Sequence, residues 1–445
     1  MSPIPSSQNG PAGPKAGADD TLFDKVGWRL LPLLIVCYVV AYLDRINVGF
    51  AQLEMKKSLP FSDEAYAMGA GVFFIGYLLF EVPSNLLLER IGARKTLLRI
   101  MFLWGICAAA IMFVQTPVQF YVLRFLLGAF EAGFFPGIIL YLTYWYPAAR
   151  RAKIIAIFMA ATPIAYIIAG PLSGFIMKYM DGWAGWHGWQ WLFLVQGLPA
   201  SILGIIAYFV LKDRPEQADW LSAGEKVALR SHLDNDAPVV ASASHGSMWE
   251  LLRDEKTYSL AFVYLLLLGA TYTMVFWAPT LIRGWGVADV LTVGLLAAVP
   301  AVFGAIGMVL IGRSSDQRLE RRWHFFFCVG LCTVGLVITI FTQGNLVWSL
   351  AGLCVMAIGQ SAATPIFFAG VCDYVPKKTA AGGIALISSL GNLGPALMPP
   401  ITTWINRTTG TPVNSMYLVA ALYLLAGVVL LYTMRPAPTR RLAMA

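Results

Sequence analysis

Apolar segments long enough to cross a hydrocarbon layer recur throughout this 445-residue chain, separated by short polar loops. A bilayer core of about 30 Å needs about 20 consecutive apolar residues in a helix. In lipid every backbone N–H and C=O must be satisfied within the segment, so runs of this kind fold as helices. Twelve candidate spans can be read, at roughly 28–51, 66–88, 97–115, 118–145, 152–178 and 190–211, then 257–283, 288–312, 323–342, 346–370, 380–404 and 415–434. Only 13% of the residues are charged, against about 25% in a typical soluble domain. The expected fold is an all-α membrane protein with twelve transmembrane helices in two pseudo-symmetric six-helix bundles.

The polar stretches set the expected organisation. Residues 1–25, rich in Pro, Gly and Ser, read as a disordered cytoplasmic tail, and 26–211 as the N-terminal bundle. Residues 212–255 read as a cytoplasmic linker whose two amphipathic pieces, near 220–230 and 248–252, lie on the membrane surface. The C-terminal bundle follows at 256–434, and 435–445 form a second cytoplasmic tail. Arg90, Arg94, Lys95, Arg150, Arg151, Lys153, Arg313, Arg318, Arg321, Arg322, Lys377 and Lys378 crowd the loops on one side. By the positive-inside rule that side is expected to be cytoplasmic with both termini there, and the membrane is expected to be the cell membrane, the inner membrane in a bacterium. This distribution also explains the net charge of +8 without a nucleic-acid partner. The six cysteines lie in or beside spans with no metal-ligand spacing, so no disulfide, metal or cofactor is expected.

Against this apolar background four charges stand out: Asp44 and Arg45 in span 1, Arg124 and Glu131 in span 4. Each costs roughly 2.5–3.5 kcal/mol to insert at membrane depth, so such residues mark a polar site. Span 2 ends in Asn85-Leu-Leu-Leu-Glu89-Arg90-Ile-Gly92-Ala-Arg94-Lys95, and span 8 in Gly312-Arg313-Ser-Ser-Asp316-Gln-Arg318. An acidic and basic cluster thus closes the second helix of each half, which is the pattern of a duplicated transporter with its substrate site between the halves.

These clusters resemble the signature Gly-x-Leu-x-Asp-Arg-x-Gly-Arg-Lys of the major facilitator superfamily, with Asn85, Glu89 and Ala93 as departures in the first copy. Tyr42-Leu-Asp-Arg-Ile-Asn47, Glu81-Val-Pro-Ser-Asn85, Arg124 to Pro136, Phe276-Trp-Ala-Pro279 and Ser389-Leu-Gly-Asn392 are similar to its anion:cation symporter branch. That branch includes sialin and bacterial permeases for tartrate, galactonate and phthalate. The resemblance implies that Arg45 binds the substrate anion, that Asp44 and Glu131 handle protons, and that Tyr77 touches substrate.

Residue chemistry leaves alternatives beside these roles. Arg45 offers a planar fork that fits a carboxylate, or it neutralises Asp44. Adjacent helical residues point about 100° apart, which favours separate partners for the two. Glu131 either exchanges protons or forms a static pair with Arg124, seven residues away; otherwise Arg124 tunes the acids. Asn392 and Ser389 bring polar groups to span 11 and either meet the substrate or join helices. Trp277 is a candidate cavity-lining residue, and Tyr77 either contacts substrate or packs. Glu81 belongs to a gate rather than to the pocket. Glu89, Arg90, Arg94, Arg313 and Asp316 either latch the two bundles together or only orient the chain. The combined reading is a secondary transporter, monomeric by default, importing a small organic anion with protons by alternating access. The competing readings are a non-transporting nutrient sensor and a sodium-coupled or exchange carrier.

Overall fold

The computed structural model describes residues 16–241, 253–374 and 380–434. The described elements are helical, and twelve spans are long and apolar enough to cross a membrane. The first six are α1 (Ala16–Ser58), α2 (Asp63–Ile91), α3 (Ala93–Ala110), the pair α4 (Pro117–Glu131) and α5 (Phe134–Thr143), the pair α6 (Ala148–Met159) and α7 (Ala161–Tyr179), and α8 (Gly188–Val210). A short α9 (Ala223–Ala241) follows. The second six are α10 (Glu255–Gly284), α11 (Val290–Arg318), α12 (Arg322–Phe341), α13 (Leu346–Tyr374), the pair α14 (Ala380–Gly391) and α15 (Leu393–Thr409), and α16 (Val413–Thr433).

Local chemistry sets the helix ends and breaks. Ser62 accepts from the Ala65 N–H at the start of α2, and Asp289 from the Thr292 N–H at the start of α11. Thr116 and Gln119 form a reciprocal capping box with Pro117 in the first turn of α4. Span 5 breaks at Ala160, three residues before Pro163, whose ring lacks the N–H and crowds the carbonyl one turn back. Span 4 breaks immediately after Glu131. Gly133 there has φ +86°, and a Cβ would meet the Ser84 Oγ at 2.6 Å.

Two expectations change at the polar ends. The helix begins at Ala16, inside the stretch read as a disordered tail, because that stretch holds burial partners: Leu22 and Phe23 are buried. The Phe23 ring packs on Tyr146 at 5.9 Å, and Asp20 and Lys25 pair with Arg150 and Glu225. The linker piece expected on the membrane surface instead docks on the N-terminal bundle. Trp220 stacks on Trp145 at 5.6 Å, and Leu221 and Leu229 are buried. The second amphipathic piece, Met248 to Leu252, lies outside the described residues, as do Lys377 and Lys378.

The bundles meet most closely near the face away from the termini. A Cβ on Gly170 (α7) would lie 2.2 Å from the Gly294 carbonyl oxygen (α11), and one on Gly71 (α2) 2.4 Å from that of Ala396 (α15). Glycine lets these backbones touch. Among the described residues every ion pair between the bundles lies at that same end: Lys178–Asp289 at 2.8 Å, Arg283–Glu54 at 2.9 Å and Arg407–Glu64 at 3.2 Å.

Candidate substrate and proton site

The four intramembrane charges converge. Arg45 Nε donates to Glu131 Oε1 at 2.7 Å, joining α1 to the end of α4. Asp44, 1% exposed, turns another way: its Oδ2 accepts from Trp104 Nε1 at 2.6 Å and its Oδ1 from Asn47 at 3.5 Å. The helix geometry that separates neighbours by 100° therefore sends the two residues to different partners. Arg124 does not pair directly with Glu131. Its Nε donates to the Gly69 carbonyl at 3.2 Å, its guanidinium lies 4.8 Å from the Phe73 ring centre, and both Nη atoms are buried without a partner. Glu131 Oε2 is likewise buried without a partner.

Aromatic rings wall the Arg45 guanidinium. Tyr77, Tyr42 and Phe73 lie 5.1, 5.4 and 5.7 Å from it, ring centre to Cζ. Tyr42 continues to Tyr166 of α7 at 5.9 Å. From the other bundle Tyr272 meets Phe74 edge to face at 4.8 Å and continues to Phe276 at 5.8 Å. The result is a cationic group in a polar-edged aromatic chamber, where a carboxylate could meet a guanidinium fork and apolar rings together.

The other candidates divide. Ser389 donates to Glu81 Oε2 at 3.2 Å, so it joins α14 to α2 across the bundle interface. Glu81 sits at that crossing. Asn392 occupies the break between α14 and α15, half-buried. Trp277 lies outside the Arg45 chamber and lines a separate cavity of about 800 Å³ between the bundles, with Asp63, Thr280 and Arg407, near the face away from the termini. The loop clusters read as a latch do not bridge the bundles. The Arg94 guanidinium donates to the Tyr208 carbonyl at 2.7 and 2.9 Å, and the Arg94 backbone N–H donates to Asp213 Oδ1 at 2.9 Å, all on the N-terminal side of the chain. Asp316 pairs with Arg321 at 2.5 Å in the C-terminal half, while Arg90 and Arg313 are exposed. Glu89 lies in the last turn of α2. Each cluster closes its own bundle because its nearest partners are the helix ends beside it.

Sequence reasoning missed several residues. Trp104 carries the strongest available signal, an indole N–H deep in an apolar span that needs an acceptor. Tyr42, Phe73 and Tyr272 looked like ordinary span aromatics. The ion-pairing residues Glu54, Lys178, Arg283 and Asp289 sit in loops and helix ends, where charges are unremarkable.

Comparison with known proteins gives this arrangement its context. The profile of the Major Facilitator Superfamily matches residues 34–320 and 287–443. The chain belongs to the major facilitator superfamily. It is therefore a membrane transporter by family, and not an enzyme. Within the superfamily it is 43% identical over 416 residues to a protein of Agrobacterium vitis carrying the name tartrate transporter, covering 93% of this chain and 95% of that one. It is 33% identical over 417 residues to the inner membrane transport protein RhmT of Escherichia coli, covering 94% and 96%. Its fold matches the inward-open xylose transporter XylE of E. coli with a TM-score of 0.74 at 13% identity, over 93% of this chain and 98% of that one.

Proposed function

We propose that this transporter imports a small organic anion together with protons, by alternating access, with both termini in the cytoplasm. One observation carries the reading: the guanidinium best placed for an anion, Arg45, is held by the carboxylate of Glu131. Taken at full ionisation, Asp44, Arg45, Arg124 and Glu131 sum to zero. An incoming carboxylate adds a negative charge to a site where each uncompensated ion costs several kcal/mol. A proton on Glu131 removes that charge and frees Arg45, so anion and proton favour each other's binding.

Arg45 binds the carboxylate, Tyr77 and Tyr42 wall the substrate, and Tyr272 approaches from the second bundle. Asp44 and Glu131 are the proton carriers, Arg124 sets the field they share, and Asn392 faces the substrate from span 11. Glu89, Arg90, Arg94, Arg313 and Asp316 latch the cytoplasmic side when that side closes, whereas here the bundles are joined at the opposite end. The Agrobacterium relative named for tartrate supports a carboxylate substrate.

Uptake into proteoliposomes tests the proposal, using a panel of carboxylates at clamped membrane potential. Accumulation is expected only with an inward proton gradient. Equal uptake without that gradient, or uptake requiring sodium or internal substrate, identifies a different coupling. Binding with no uptake under any gradient identifies a sensor.

A further inference from the structure

A second cavity, of about 520 Å³, lies between α2, α3 and α4 near the face that carries the termini. Its apolar lining includes Phe80, Leu86 and Leu103, and its polar lining is Arg90, Arg99 and Ser84. Phe80, Val82 and Leu86 are 44%, 60% and 57% exposed. On a membrane span such exposure means contact with acyl chains, so the cavity opens sideways into lipid rather than into the transport path.

The two arginines are unusual for this face. Arg99 donates from Nη2 to Ser84 Oγ at 2.7 Å, and its Nε is buried without a partner. Arg90 is exposed in the last turn of α2. Neither has a carboxylate partner among the described residues. Their neighbours are committed: Arg94 to the Tyr208 carbonyl, Arg150 to Asp20 and Lys212 to Asp219. Arg99 lies six residues into α3, about 9 Å below the helix end at 1.5 Å per residue. A guanidinium one to two turns inside the end of a span reaches headgroup level along its own alkyl stem.

We infer that this groove binds an anionic phospholipid of the leaflet on the terminus-bearing face, its phosphate between Arg90 and Arg99 and an acyl chain along Phe80 and Leu86. Guanidinium forks fit phosphate oxygens closely, and basic pockets between spans hold headgroups in this way. A zwitterionic lipid carries the same phosphate with a cation beside it, so net charge decides the preference. The site lies outside the substrate site around Arg45 and does not rest on the proposed substrate or coupling; Arg90 meets the phosphate in the state described here, with the bundles unlatched at that end, and serves the latch only in the state closed there.

Native mass spectrometry of the full chain, released from mixed micelles of phosphatidylglycerol and phosphatidylcholine with matched acyl chains, tests it. Wild type is expected to retain phosphatidylglycerol at least about tenfold over phosphatidylcholine, and the Arg90→Gln/Arg99→Gln double variant to lose most of that preference. Arg99→Lys keeps the charge and is expected to keep a measurable preference. Should the double variant misfold, Arg90→Gln alone is expected to reduce the preference about threefold or more. Equal retention of the two lipids by wild type, or an unchanged preference in the glutamine variants, overturns the assignment. Displacement of phosphatidylglycerol by millimolar inorganic phosphate also overturns it, by showing a free-anion site instead.

Discussion

At the scale of single residues, one guanidinium organises the chamber. Arg45→Lys keeps the charge but removes the planar fork, and is expected to weaken carboxylate binding by about 1.5–3 kcal/mol, roughly ten- to a hundredfold. Isothermal titration of the purified variant measures this, and wild-type affinity would remove Arg45 from the site. Trp104→Phe keeps the packing and deletes the 2.6 Å hydrogen bond to Asp44. Asp44 is then left with only the long contact from Asn47. A loss of about 1–3 kcal/mol in stability is expected, read as a lower unfolding temperature in detergent. An unchanged temperature would mean that the indole does not support the acid. The four charges were legible in the sequence because lipid-spanning segments so rarely carry any. Their pairing was not: spacing placed Arg124 on the same face as Glu131, but the packing of α1 against α4 brings Arg45 to that acid instead.

Helices and their contacts form the next scale. The spans themselves were legible because length and apolarity are set by the bilayer rather than by tertiary packing. The breaks were only partly so. Pro163 gives the interruption of span 5 a local cause, whereas the break at Gly133 depends on Ser84 of another helix and has no local signal beyond glycine itself. The Gly170–Gly294 contact is the tightest joint between α7 and α11. Gly170→Val places methyl groups against the facing backbone, and overpacking of this kind costs about 1–3 kcal/mol. The variant is expected to insert normally but to disfavour the state closed away from the termini, shifting that population about ten- to a hundredfold. Distances between spin labels on α7 and α11 report the shift, and an unchanged distribution would mean that the contact does not stabilise closure.

For the whole molecule, the two ends of the bundle interface behave differently. Among the described residues three ion pairs join the bundles away from the termini, and the loop clusters at the other end serve each bundle separately. This asymmetry was hidden in the sequence, which shows where charges lie along the chain and not which bundle supplies the partner. Asp289 is held down to about 2 by its hydrogen bonds to Lys178 and Thr292. A carboxylate lowered in the folded state contributes above its unfolded value and loses that contribution as pH falls through the lowered one. The Lys178–Asp289 pair therefore persists through mildly acid conditions. Asp289→Asn is expected to leave the pH midpoint of uptake unchanged while loosening closure at that end. A shifted midpoint would assign the pH dependence to this pair and not to the chamber.

The trade of a proton for a carboxylate at Arg45 and Glu131 is tested most directly by recording pH in weakly buffered solution while substrate binds to the purified protein. Wild type should take up protons on binding, and Glu131→Gln, which keeps the shape and cannot ionise, should bind with much less uptake. Binding by wild type with no proton uptake at any pH across the titration range would contradict the coupling.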